Sequence, residues 1–146
     1  MVKMKQHEPT LSSKGFTLIE LLVVIAIIGL LAAVVLASVG GARNKGADAT
    51  VKSQLNAARS QAELFAANNG NIYTGVCLAT QANNGLASIL ANADAAIAGG
   101  AAVCNDAANV WAASAPLTTA STYWCVDSIG NSKQTTTALG AATVCP

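Results

Sequence analysis

Apolar positions fall into three regimes along the chain. Residues 16–39, FTLIELLVVIAIIGLLAAVVLASV, are apolar everywhere except Thr17, Glu20, Gly29 and Ser38. Apolar on all sides, this run predicts a helix about 36 Å long, enough to cross a ~30 Å hydrocarbon layer. Beyond Gly40-Gly41 the pattern narrows to a stripe. Ala47, Val51, Leu55, Ala58, Ala62 and Phe65 recur every three or four residues. Arg43, Lys45, Asp48, Lys52, Arg59 and Glu63 take the other faces. Such spacing predicts an amphipathic helix that needs a domain to pack on. Asn68-Asn69-Gly70 is a stop signal, so one long helix is expected over 16–67.

From Gly70 the texture is Ala, Asn, Thr, Ser and Gly. A short helix is expected over 86–97, with Asn84 as its N-cap. Residues 110–113 read as a strand, and 122–128 alternate in a β-rich manner. Gly130-Asn131 is a turn signal, and 132–137 read as the returning strand. The expected fold is therefore α+β. A long N-terminal helix, its apolar half transmembrane and its second half amphipathic, packs against a small antiparallel β-sheet head.

Composition changes this picture little. At 146 residues the chain allows one modest domain. Hydrophobic residues make up 53%, but much of this is dispersed Ala, and only one segment is long enough to span a bilayer. The net charge of +1 gives no electrostatic case for nucleic acid binding.

The four cysteines, Cys77, Cys104, Cys125 and Cys145, all lie on the C-terminal side of the apolar run. Their number is even and they lack the paired spacing of a zinc site. Two disulfides in an oxidising compartment are expected, which places the C-terminal part outside the cytoplasm. Three pairings are open. Cys77–Cys104 with Cys125–Cys145 is preferred, because each closes a short loop. Charge does not orient the chain, since Lys3, Lys5 and Lys14 precede the apolar run and Arg43, Lys45, Lys52 and Arg59 follow it.

Glu20 is the anomaly of the apolar run. A removed secretory signal, cut near Gly40-Gly41-Ala42, is one reading of the run, although its apolar stretch exceeds the usual 7–15 residues or so. A plain anchor is another. Glu20 weighs against both, because a carboxylate inside a membrane helix is costly without a partner. The alternatives are a Glu snorkelling at the surface or a carboxylate awaiting a cation in an assembled state.

The stretch Lys14-Gly15-Phe16-Thr17-Leu18-Ile19-Glu20, followed by LLVVIAIIG, resembles the N-terminal signal of type IV prepilins and type II secretion pseudopilins. The resemblance is strong over 14–38 and looser to about residue 67. It implies that a membrane-embedded prepilin peptidase cuts after Gly15 and methylates the new amino terminus on Phe16. The peptidase would meet an unhindered backbone, since Gly15 has no side chain. Residues 1–15 would be a removed leader, with Met1 and Met4 as alternative starts. The remainder divides into an assembly helix at 16–39, its amphipathic continuation at 40–67 and a disulfide-stapled head at 68–146.

In this family Glu20 would meet the amino terminus of a neighbouring subunit, setting register as subunits leave the membrane. The family often has Pro where this chain has Ala37, so any local melting here rests on Gly29, Gly40 and Gly41. These glycines read equally as close packing points.

The resemblance implies a structural subunit of a type IV pilus-like filament. It would be held first in the inner (cytoplasmic) membrane with the head outside, then in an extracellular or periplasmic filament. Its partners would be the peptidase, identical or related subunits, the membrane and the pilus or secretion machinery. A major pseudopilin of a type II secretion system is the alternative. Those commonly carry a calcium-binding C-terminal loop and usually lack such disulfides. A membrane-anchored monomeric binding protein or adhesin is the alternative of another class.

No catalytic set is evident. His7 would be lost with the leader, removing histidine chemistry. No cofactor, metal or phosphate-cradling motif is evident. Trp111, Tyr123 and Trp124 read as core or subunit contacts in preference to a ligand-stacking surface.

Overall fold

The computed structural model describes residues 15–78 and 85–146. The leader up to Lys14 and the expected cap Asn84 lie outside the described residues. Contacts divide the chain into two compact units, Met1–Val39 and Gly40–Pro146. The helix α1 (Leu18–Asn68) contributes residues to both.

In the first unit, the apolar side chains of α1 have nothing to pack on among the described residues. Leu18 is 76% exposed and Leu30 71%. The helix is long and apolar enough to cross a membrane, and none of its most apolar window is buried. A methyl group placed at Gly29 would meet nothing within 4 Å, so the protomer itself does not require glycine there.

In the second unit, α1 presents the stripe its spacing predicts. Val51, Leu55, Ala58, Ala62 and Phe65 are buried, and Ala47 is half-buried. The helix ends one residue beyond the expected position. Asn71 N–H donates to the Ala66 carbonyl at 2.8 Å, and Gly70 takes φ +69°. That is a Schellman ending, which needs a left-handed residue at the turn. A second helix, α2 (Ala87–Ala96), starts after Leu86, which forms no side-chain cap. Beyond it, an added methyl at Gly100 would stand 3.0 Å from the Ile97 carbonyl, a tight approach that favours glycine at the α2 exit.

Four strands follow: β1 (Val103–Asp106), β2 (Trp111–Pro116), β3 (Tyr123–Asp127) and β4 (Ser132–Thr135). They form one antiparallel sheet in the order β1-β2-β3-β4. β1 was not expected. β2 extends past the expected Ala113 to Pro116, and β3 and β4 are shorter than expected.

Alternation along these strands sorts the two faces of the sheet. Trp111, Ala113, Ala115 and Val126 join the core made by α1, α2, Val76 and Leu86. Ala112 and Cys125 point the other way, into a second cluster with Leu139 and Cys145 of the C-terminal loop. Asn105 secures that loop, donating from Nδ2 to the carbonyls of Gly140 and Ala142 at 2.8 Å each. β2 is thus buried on both faces, which is why five of its six residues are buried. β4 is an edge strand whose central residues, Lys133 and Gln134, are exposed.

Of the three aromatics singled out above, Trp111 is fully buried, while Tyr123 and Trp124 are half-buried. Lys52 Nζ lies 5.1 Å from the centroid of the Trp124 ring. Replacing Lys52 by Met keeps the stem and removes the charge. The expected loss is about 0.5–1 kcal/mol of head stability, read from denaturant melts followed by Trp fluorescence.

Candidate functional site

The site begins where α1 begins. Gly15 is exposed and has no crowding neighbour, and Phe16 is 86% exposed. Thr17 precedes the first helical residue and exchanges hydrogen bonds with Glu20. Thr17 N–H donates to Glu20 Oε2 at 2.9 Å, and the Thr17 hydroxyl donates to the same oxygen at 2.7 Å. Glu20 N–H lies 3.3 Å from Thr17 Oγ1. This is a capping box, the Thr-x-x-Glu arrangement that closes a helix N-terminus on itself. Two backbone donors with no partner further up the helix are satisfied in this way.

Glu20 therefore has partners in its own chain. Thr17 stands three residues before Glu20, and the snorkelling and cation-pairing readings of Glu20 both leave this partner out. The Thr-x-x-Glu spacing ahead of an apolar run was the available signal.

The Thr17 half of the box is open to test. Thr17→Val should speed amide exchange at the next few residues roughly fivefold, with Thr17→Ser restoring it. Exchange measured on the full chain in detergent would show this; unchanged rates would mean the box contributes nothing to the helix start.

In the head, the acids have a common task. Asp48 accepts from Thr118 N–H at 2.7 Å and Asp106 from Gly75 N–H at 2.6 Å, while Asp94 accepts from Ala102 N–H. Asp127 is 1% exposed and does most. It accepts from Asn131 N–H at 2.8 Å, from Asn131 Nδ2 at 2.6 Å and from Cys145 N–H at 3.0 Å. Burial pushes its carboxyl up, but the bonds from Asn131 and from the Cys145, Asn131 and Ile129 backbone outweigh this and hold it below the usual carboxylate range. Tyr73 donates its hydroxyl to Glu63 at 2.9 Å, and burial together with that carboxylate pushes the phenol up.

The disulfides join Cys77 to Cys104 and Cys125 to Cys145, with Cα separations of 5.6 and 5.8 Å. This is the pairing preferred from the sequence, with separations of 27 and 20 residues. The first ties the segment after α1 to β1. The second ties the C-terminal loop to β3, beside the Asp127–Cys145 bond. Among the described residues there is no group of three or more His, Cys, Asp or Glu able to hold a metal ion.

Comparison with known proteins bears on the same N-terminal region. The family described as "Prokaryotic N-terminal methylation motif" matches residues 11–36. Over 63 residues the chain is 48% identical to the type IV wide pilus major component PilA4 of Thermus thermophilus. That alignment covers 43% of this chain and 47% of the relative, so the chain spans about half the length of the curated protein it matches. No solved structure gives a significant match.

Proposed function

We propose, from the type IV pilin kinship that the methylation motif and the Thermus relative support, that this chain is a structural subunit of a type IV pilus-like filament. The observation that carries the reading is an apolar helical segment with no buried residue, starting one turn from a capped carboxylate inside a methylation motif. An apolar face of this length has two natural surroundings, a bilayer and the same segment of other subunits.

In this mechanism the precursor inserts through residues 16–39 with its head outside the inner membrane. Prepilin peptidase removes residues 1–15 and methylates Phe16. Subunits are then drawn out and stacked. Phe16 carries the new amino group four residues ahead of Glu20, within a turn of helix. In the membrane, Glu20 stays satisfied by Thr17. In the filament, the freed amino group of the subunit below offers it a cation at low dielectric, where such a pair is strong. The capping box then serves as the resting arrangement, and the pair between subunits as the assembled one.

Engagement of Asp94, Asp106 and Asp127 with backbone donors favours the pilus subunit over the secretion pseudopilin. The acids of the head are spent on holding loops, whereas a calcium-binding C-terminal loop needs carboxylates free to ligate.

Intact mass of the protein from its host tests the reading. The expected mass lacks residues 1–15, gains one methyl group and shows both disulfides formed. Electron microscopy of sheared surface fractions should find the protein in filaments. A mature pool that keeps its leader, or a chain absent from every filament, would refute the proposal.

A further inference from the structure

Four cations follow the apolar run within α1, and among the described residues the fold gives no reason for the first two. Lys52 lies over Trp124, and Arg59 approaches the β3–β4 turn, its Nη2 standing 3.9 Å from where a methyl at Gly130 would be. Arg43 and Lys45 are exposed. They stand four and six residues beyond Val39, so about 6 and 9 Å past the end of the apolar run along the helix. That is the depth of lipid headgroups for a helix that spans the hydrocarbon. Two residues apart, they project about 200° from each other and so address opposite sides of the helix.

Arg43 also borders an open recess of about 620 Å³ within the head unit, shared with Asn44, Ala47, Ile97 and Thr118. Among the described residues, no acidic side chain lines this recess. The nearest acid in sequence, Asp48, is engaged with Thr118 N–H. The recess thus offers a guanidinium, an amide and a small apolar wall. With the head outside, these cations lie on the side of the membrane that the orientation rule leaves poor in Lys and Arg. Their presence there calls for an anionic partner.

We propose that Arg43 and Lys45, with the recess beside Arg43, form a seat for anionic phospholipid headgroups of the outer leaflet, steadying the unassembled subunit in the membrane. This rests on the reading of residues 16–39 as membrane-inserted. An anionic headgroup supplies the phosphate that guanidinium and ammonium recognise, and it is bound at the one depth where these side chains stand. Extraction into a filament must break this contact, so the lipid holds the waiting pool and is released with each added subunit.

The test uses the full chain in nanodiscs of equal phosphatidylglycerol and phosphatidylcholine, with retained lipids counted by native mass spectrometry. Wild-type protein should retain phosphatidylglycerol preferentially, by roughly fivefold for each cation. The Arg43→Gln/Lys45→Gln variant should retain the two lipids equally. Arg43→Lys with Lys45→Arg should keep the preference, and Lys133→Gln on β4 should not alter it. Excess inorganic phosphate should not displace the lipid.

Equal retention by the wild type, a preference that survives the double variant, or displacement by phosphate would each overturn the proposal. Failure to enter discs of either lipid would overturn the membrane reading itself, and is distinguishable from insertion without preference.

Discussion

Glu20→Gln is expected to leave the subunit helical and membrane-inserted while cutting filament yield at least about tenfold. The substitution separates the two tasks the carboxylate can perform. A Gln at the same place still accepts from Thr17 N–H, because the capping box tolerates Glu or Gln. The helix start therefore survives. What disappears is the negative charge, and with it the pairing to an amino group on the next subunit. Sheared filaments quantified against membrane-retained protein read the outcome directly. Normal filament yield from Glu20→Gln would show that the carboxylate serves only as a cap, and the assembly mechanism given above would fall. A monomeric anchored adhesin predicts no filaments from either the wild type or Glu20→Gln, so the same experiment discriminates between the two classes.

Asp127→Ala is expected to cost the head about 3–5 kcal/mol, the range for breaking a buried charged hydrogen-bond network. The Cys145 and Asn131 N–H groups would be left without their acceptor, and the C-terminal loop would rely on its disulfide, the Asn105 bonds and the packing of Leu139. The pH dependence follows from the direction of the Asp127 shift. Its carboxyl is held below the usual range in the folded head, so the folded state favours the ionised form. That contribution is fully present above the ordinary Asp range and is lost as pH falls through the lowered folded value. Melting temperature of the full chain in detergent should fall on acidification below about pH 4, and fall less steeply in Asp127→Asn, which has no charge to lose. Equal acid sensitivity in both would assign the effect to other carboxylates.

The long helix was legible in the sequence because its signals are local. An apolar run, a three-four stripe and an Asn-Asn-Gly stop fix α1 to within two residues at each end. The β3–β4 hairpin was legible for the same reason, through Tyr123-Trp124-Cys125-Val126 and the turn after it. β1 and the second half of β2 were not. Val-Cys-Asn-Asp ends in two residues that strands usually avoid, and Ser-Ala-Pro reads more readily as loop. Tertiary packing overrides both preferences. β1 is held by pairing with β2, by the Cys104 disulfide on one face and by Asn105 on the other. β2 needs small residues, since it is covered on both sides.

At the candidate site, the Gly15-Phe16 junction and Glu20 stood out by motif, while Thr17 was passed over as one more residue of the signal. The head aspartates, Asp94, Asp106 and Asp127 among them, form no ligand pattern in the sequence. Their partners are backbone N–H groups as far as 70 residues away in sequence, between Asp48 and Thr118, and composition carries no trace of such bonds.

β4 leaves one rim of the sheet without a neighbouring strand. A bare rim of this kind is a template on which a second copy could pair. The rim here is only four residues long and centred on Lys133, so two copies laid rim to rim would bring like charges into contact. Like-charge repulsion at this rim thus guards against edge-to-edge association of two heads.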